Sequence, residues 1–239
     1  MSSDPLTPNT PTFVPFSKIP NFDPRAVPVT GIDAHLPPVP ASRLDPAVLR
    51  ARFLEDRPWT PELRSEPPFS DRELAAAAVL VPIVAREQPT VLLTERTTHL
   101  STHSGQIAFP GGRRDPTDRD LAHTALREAE EEIGLDPRQV EVIGHLPTYT
   151  TGTRFVVTPV IALVDPGHRL VLNAYEVADA FEVPLAFLMN PAHHRRHRVE
   201  VFGSEREFLS MPYHQASVER FIWGATAGML RNLYRCLAA

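Results

Sequence analysis

Arg127-Glu128-Ala129-Glu130-Glu131-Glu132-Ile133-Gly134-Leu135 is the stretch from which the chain is best read. It closes a segment, Leu121–Ile133, in which Ala122, Ala125, Leu126, Ala129 and Ile133 recur at helical spacing and fall on one arc. Gly134, with Pro137 just beyond, ends the predicted helix. A helix C-terminus carries partial negative charge, which disfavours carboxylates there by tenths of a kcal/mol or more. Like charges three and four residues apart add a repulsion of roughly 0.2–0.5 kcal/mol per pair. Folding gains nothing from this crowding, whereas a divalent cation would. Glu128, Glu131 and Glu132 share an arc next to the apolar stripe, while Glu130 points toward solvent. Arg127 borders the group and is placed to pair with Glu131 one turn later. Three carboxylates are therefore expected at one place, with oxygens suited to Mg²⁺ or Mn²⁺. A solvated acidic face is the plain alternative. Against it stand the adjoining apolar stripe and the bare backbone loop Phe109-Pro110-Gly111-Gly112 just upstream.

The rest of the chain narrows the setting. Its 239 residues allow one substantial domain, or a domain with a tail. A formal net charge of −5 gives no support for non-specific binding to nucleic acid or to an anionic membrane. Cys236 is the only cysteine, so disulfide frameworks and cysteine zinc sites are excluded and a buried, reduced thiol is expected. Lys18 is the only lysine and lies in the proline-rich tail, which excludes a P-loop or a Schiff-base mechanism in the core. Met1-Ser2-Ser3-Asp4-Pro5 lacks the character of a secretory signal, and no apolar run reaches membrane-spanning length. A cytoplasmic protein is the expectation.

More than half of the 26 prolines lie in the first 70 residues. Residues 1–70 read as a proline-rich extension, extended or disordered to about Pro40, with a short helix over Asp45–Leu54 capped by Asp45. Trp59–Ser70 reads as a connector. The domain, residues 71–239, holds predicted strands at Ala76–Val84, Thr90–Thr94, Gln106–Phe109, Val140–His145 and Arg154–Val164. Thr158-Pro159 suggests an edge or bulge in the last of these. Arg198–Phe202 and Glu207–Met211 flank Gly203-Ser204-Glu205 as a hairpin, and Ser217 is expected to cap a closing helix from Val218 to about Leu237. Strands mixed with two long helices imply an α/β sandwich.

Gly111 to Leu135 resembles the Nudix box, G-x5-E-x7-R-E-U-x-E-E-x-G-U, where U is a bulky aliphatic residue. Arg127, Glu128, Glu131, Glu132, Gly134 and Leu135 match its second half, with Ala129 as a small U. The first half departs: the acidic position falls on Asp118, and eight residues rather than seven precede Arg127. One extra loop residue accounts for the spacing and leaves the role of Asp118 open. Upstream, Leu92-Leu93-Thr94-Glu95-Arg96-Thr97 and Gly105-Gln106-Ile107-Ala108-Phe109-Pro110-Gly111-Gly112 resemble the signature of Nudix coenzyme A diphosphatases, LLTxR(S/A)x3Rx3Gx3FPGG. Thr97 replaces serine or alanine, and Ser101 stands where the signature has arginine. Phe221 to Leu230 is also similar to that subfamily's C-terminal helix. The resemblance covers roughly Ala75 to Leu237.

The resemblance implies a Nudix-type α/β/α sandwich with a mixed sheet and metal-dependent hydrolysis of a diphosphate, most specifically that of coenzyme A. It implies Mg²⁺ or Mn²⁺ held by Glu128 and Glu132 with the Gly111 carbonyl, Glu131 completing the ligands or orienting water, and Arg127 holding the glutamates. Glu176, shortly before a predicted strand at Phe181–Val183, is the candidate for a further acid from a later loop, a surface glutamate being the alternative. Arg96, His103, Gly105, Phe109 and Gly112 are the candidate substrate contacts. His193-His194-Arg195-Arg196-His197-Arg198 is either a contact for a substrate 3′-phosphate or an exposed loop before a strand. The expected partner is a small coenzyme-A-like nucleotide diphosphate, with a homodimer left open. ADP-ribose, a dinucleotide or a nucleoside triphosphate stay open because of Ser101. A non-catalytic sensing module would typically lack a box glutamate, and all three are present here.

Overall fold

The computed structural model describes residues 16, 19, 22–55, 57–68, 72–98, 105–201 and 203–239. The expectations for Ser101 and His103 lie outside the described residues, as do those for residues 1–15. In chain order the elements are β1 (Val29–Ile32), α1 (Pro46–Leu54), β2 (Ala75–Val84), β3 (Thr90–Arg96), β4 (Ile107–Ala108), β5 (Gly111–Arg113), α2 (Leu121–Ile133), β6 (Val140–His145), β7 (Tyr149–Thr150), β8 (Phe155–Val164), β9 (Val177–Pro184), α3 (Leu185–Leu188), β10 (Arg195–Val201), β11 (Ser204–Gln215), β12 (Val218–Trp223) and α4 (Gly224–Ala238).

The long apolar runs form the centre of an eight-stranded mixed sheet ordered β4-β3-β2-β8-β6, with β5, β7 and β9 attached at its ends and edges. β2 and β8 run parallel, from Ala75 opposite Phe155 to Val84 opposite Val164. Successive side chains on a strand face opposite sides. Ala78, Leu80, Val84, Leu92, Val160 and Ala162 therefore pack against Ala125, Ala129 and Ile133 of α2. Val81, Ile83, Val91, Leu93 and Ile161 pack the other way, against Leu209, Met211 and Ile222 and against Leu230 and Leu233 of α4. Burial on both faces explains why β2 reads as an unbroken apolar run rather than an alternating one. Each fully buried leucine or isoleucine here contributes about 1.5–3 kcal/mol. The result is the expected α/β sandwich with a mixed sheet. A second, antiparallel sheet, β1-β10-β11-β12, adjoins it.

The helix α2 matches its predicted bounds. Asp120 caps its start, the carboxylate accepting the His123 N–H at 2.7 Å. Gly134 ends it in the left-handed conformation at φ 64°, its N–H returning to the Glu130 carbonyl at 2.9 Å.

Three expectations need correction. Residues 1–70 are not an extension apart from the domain: β1, extended as read, pairs with β10, Val29 lying opposite His197. Val39, Leu44 and Leu49 share the apolar cluster of Ile83, so residues on both sides of position 70 build one core. The tie continues through Asn232 of α4, whose side-chain oxygen accepts the Glu62 and Leu63 N–H groups at 2.9 and 3.1 Å. The short helix itself forms as read, with Asp45 accepting the Ala47 N–H at 2.8 Å. Second, β8 is an interior strand despite Pro159. The Pro159 carbonyl accepts Leu146 N–H at 2.9 Å on the β6–β7 side, so the missing proline N–H also falls there, where β6 gives way to β7. Third, Val218–Trp223 is a strand, and the closing helix starts only at Gly224. Val218, Phe221, Ile222 and Trp223 are β-branched or aromatic and favour a pleated surface. Pairing with β11, from Gln215 opposite Val218 to Ser210 opposite Trp223, completes the case for β12.

Four residues of the basic run His193–Arg198, namely His194, Arg196, His197 and Arg198, are held by contacts within the fold. Arg196 pairs with Asp33 at 2.9 Å and Glu62 at 2.7 Å, and Arg198 pairs with Glu205 and Glu207. His197 is buried between the Val27 carbonyl and the Ser210 hydroxyl. His194 is fully buried, with Arg231 Nη1 3.1 Å from Nδ1 and the Leu188 carbonyl 2.8 Å from Nε2. A guanidinium only donates, so Nδ1 must accept and the proton sits on Nε2. Burial lowers the His194 pKa from 6.5 to about 4. The unfolded chain therefore binds the extra proton first, and the stability from neutral His194 is complete above pH 6.5 and lost as the pH falls to about 4. We expect up to about 3 kcal/mol of acid destabilisation from this group. Thermal melts across that window check it, and His194→Gln should remove this component of the pH dependence.

Candidate metal centre

Ala125 and Ala129 carry small side chains at the sheet-facing positions of α2, which lets the helix lie close to β2 and β5. Glu128 and Glu132, one turn apart, are thereby directed at the Gly111-Gly112 backbone. Glu132 is buried, 4% exposed, and its Oε2 accepts the Gly111 N–H at 3.2 Å. A methyl group on Gly112 would lie 2.5 Å from the Glu128 carboxyl group, so the space used by that carboxylate exists only because residue 112 is glycine.

Both carboxyls are strained electrostatically. Burial raises the Glu132 pKa to about 7, aided by the charges of Glu128 and Glu176 and opposed by the Gly111 N–H and Arg96. Burial likewise raises Glu128, with Arg127 opposing and Glu131 and Glu176 adding to it. This is an anionic notch short of positive charge. The donors are hard oxygens, the chemistry that Mg²⁺ and Mn²⁺ take, so the residues present fit such an ion. They do not form a finished cage: among the described residues, no group of three or more histidine, cysteine, aspartate or glutamate side chains is gathered to hold a metal.

Glu131 is the reason. The expected trio is a pair, because Glu131 turns to solvent, its side chain 58% exposed, and binds Arg127 at 3.0 Å. That Arg127–Glu131 contact is the one expected from the spacing. What holds Arg127 was not foreseen. Asp118, its side chain fully enclosed, accepts Nε and Nη2 of Arg127 at 3.0 and 3.1 Å. It also accepts the Thr124 hydroxyl and the Asp115 N–H, both at 2.9 Å. These bonds, Arg127 first, hold its carboxyl below the usual carboxylate range. Asp118 is thus an anchor for the arginine that steers Glu128, to which Arg127 Nη2 reaches at 2.9 Å.

Glu176 arrives from the loop before β9. Val171 N–H bonds the Ile133 carbonyl and Asn173 N–H the Glu132 carbonyl, each at 2.9 Å. The Glu176 carbonyl accepts Thr97 N–H at 3.0 Å, and its carboxylate accepts from the Asn173 amide at 3.4 Å. Its charge is felt by both Glu128 and Glu132. Asn173 is a positioning residue that no motif announced.

The expected substrate contacts separate. Arg96 stands at the notch, Nη1 3.7 Å from Glu132, and among the described residues its buried Nε has no hydrogen-bond partner. Gly105, at φ 64°, and Gln106 close onto Arg96 by backbone bonds of 3.2 and 3.0 Å. Phe109 is instead a core residue, 4% exposed, so its side chain is withdrawn from the site. Gly112 serves as space for Glu128.

The NUDIX domain family matches residues 74–202. Over 160 residues the chain is 44% identical to a protein of Escherichia fergusonii named "Uncharacterized Nudix hydrolase NudL", covering 66% of this chain and 80% of that one. The protein of the same name from Salmonella newport is 45% identical over the same shares. Among solved structures, the Caenorhabditis elegans (C. elegans) Ap4A hydrolase binary complex aligns with a TM-score of 0.41 at 21% identity, over 50% of this chain and 86% of that chain.

Proposed function

Because this chain belongs to the Nudix family of hydrolases, we propose that it cuts the diphosphate of coenzyme A or a derivative of it. The products are 4′-phosphopantetheine and adenosine 3′,5′-bisphosphate: water adds to one phosphorus, the bond from that phosphorus to the bridging oxygen breaks, and the bridging oxygen leaves with the other phosphate. The observation that carries the hydrolytic reading is the convergence of Glu128 and Glu132 on the Gly111-Gly112 backbone with Arg96 alongside. The coenzyme A assignment rests on the Leu92–Gly112 signature, which builds β3, β4 and β5 around that notch.

Glu128 and Glu132, with the Gly111 carbonyl, would hold Mg²⁺ or Mn²⁺, which when bound neutralises phosphate charge and acidifies water. The chain's own residues do the positioning. Asp118 fixes Arg127, and Arg127 fixes Glu128. Arg96, whose Nη1 stands at the notch 3.7 Å from Glu132, offers its guanidinium to a diphosphate oxygen. Glu131, exposed at the rim, and Glu176, held by Asn173, are the two carboxylates available to complete the ligand set or accept a proton from water.

Among the described residues no helix is long and apolar enough to cross a membrane. A cytoplasmic site of action is part of the proposal. The test is hydrolysis of coenzyme A with Mg²⁺ or Mn²⁺, products identified by mass. A thiol-bearing 4′-phosphopantetheine is the expected result. Turnover of ADP-ribose or a dinucleotide, with coenzyme A untouched, would overturn the substrate and keep the reaction class.

A further inference from the structure

The turn at residues 173–176 is tied to both elements that form the notch. On the α2 side, Val171 N–H and Asn173 N–H reach the Ile133 and Glu132 carbonyls. A methyl group on Gly134 would lie 2.9 Å from the Val171 backbone, so the loop rests directly on the end of the helix. On the sheet side, β3 pairs with β9 as far as Arg96 opposite Val177, past a bulge that follows Glu95 opposite Asp179. Thr97 carries the contact one residue further. Its N–H meets the Glu176 carbonyl at 3.0 Å, and its hydroxyl meets the Tyr175 carbonyl at 2.9 Å. A carbonyl only accepts, so the hydroxyl is the donor. Thr97 is buried, which shields both bonds from competing water.

Inside the turn, both ends of the Asn173 side chain are assigned. Its Oδ1 accepts the Tyr175 N–H at 3.2 Å, which leaves the amide nitrogen to donate to Glu176 Oε1 at 3.4 Å. The Asn173 carbonyl accepts the N–H groups of Glu176 and Val177, both at 2.9 Å. These last bonds close the turn, and closure needs no donor on the carboxylate. The outer anchors are the carbonyl of Glu132 itself and the residue that follows Arg96. The turn is therefore registered against both polar groups of the notch, and the Glu176 charge acts on the Glu128 and Glu132 carboxyls alike.

We propose that Thr97 is a positioning residue for the reaction: its hydroxyl, together with the Asn173 amide, holds the Glu176 carboxylate toward the Glu128–Glu132 notch. Thr97 stands where the coenzyme A signature has serine or alanine, and alanine could not supply this bond. A carboxylate already aimed loses less freedom when it engages an ion or a water, so the bond acts through preorganisation. The proposal rests on the metal-dependent diphosphatase reading.

A double-mutant cycle between Thr97 and Glu176, read two ways, tests it. Thr97→Val keeps the shape of the side chain and removes the hydroxyl. Calorimetric titration with Mn²⁺ reads the notch without turnover. There Thr97→Val should weaken binding by about tenfold, Glu176→Gln by at least as much, and the double variant no further than Glu176→Gln alone. In the kinetic arm, Thr97→Val should lower kcat for coenzyme A by about tenfold with KM within about twofold. The same non-additivity with Glu176→Gln should appear, and Thr97→Ser should recover most of the loss. Asn173→Ala is the second variant and should behave like Thr97→Val. Losses that add in the double variant would assign Thr97 to the fold and not to Glu176, overturning the proposal. Mn²⁺ affinity and kcat both unchanged in Thr97→Val, or a wild-type protein that binds no Mn²⁺, would overturn it as well. If the wild-type protein binds Mn²⁺ yet cuts no nucleoside diphosphate derivative, the functional reading falls, and the titration cycle still decides the role of Thr97.

Discussion

Glu132→Gln should lower turnover by ~10²–10⁴-fold and leave the fold intact. Glutamine keeps the length and shape of the side chain and can still accept the Gly111 N–H that Glu132 accepts at 3.2 Å. It removes a buried negative charge from beside Glu128 and Glu176, so the unfolding temperature without added metal should be unchanged or raised. The change in metal response is the sharper readout. A ligand that binds only the folded state stabilises it by RT ln(1 + [L]/Kd), so Mg²⁺ or Mn²⁺ should raise the wild-type melting temperature and have little effect on Glu132→Gln. Glu131→Gln is expected to lose about tenfold or less, because its partner is Arg127 and its side chain faces solvent. Read from helical spacing alone, the two residues would be equivalent. A Glu132→Gln enzyme with wild-type turnover and an unchanged response to metal would sink the assignment of the notch.

That divergence shows where the sequence was readable. Apolar runs bounded by turn residues located β2, β3, β6 and β8, and a 3.6-residue period located α2, because burial within a sheet or against one demands apolar residues there. The placement of Glu128 and Glu132 beside the stripe followed from the same angles. Rotamer choice did not: Glu131 lies on the arc, yet Arg127 draws it outward, and Arg127 is itself aimed by Asp118 across a loop. A contact between residues nine apart through an irregular segment has no period to betray it. The same limit hid β1 and β12. Neither strand buries a clean alternating face, and each exists because β10 or β11 offers an open edge. Asn173 escaped for a similar reason, its role depending on where Glu132's carbonyl ends up rather than on its neighbours in sequence. Phe109 shows the opposite error, a motif residue that the fold spends on packing.

Gly111 and Gly112 are adjacent, yet alanine should damage the protein in different ways at each. At Gly111, φ is 157°, and a methyl group would stand 2.4 Å from the Ala78 carbonyl oxygen and 2.6 Å from Val79 Cα. Both are backbone atoms of β2, so no rotamer change relieves the clash. β5 must leave β2 or the strand must shift, and an unfavourable dihedral adds to the overpacking. We expect Gly111→Ala to cost roughly 3–5 kcal/mol, a fall in melting temperature of about 10 °C or more for a chain of this size. At Gly112 the three atoms nearest the methyl group would all belong to the Glu128 carboxyl group, from 2.5 Å, the far end of a flexible side chain. Glu128 can rotate away, so Gly112→Ala should change stability by about 1 kcal/mol or less while lowering turnover by ~10²-fold. Calorimetric melts and kcat measured on the two variants separate the outcomes. If both lost stability equally and Gly112→Ala kept its activity, Glu128 would not be working at the position the notch gives it. The glycine pair would then be a tight strand entry and nothing more.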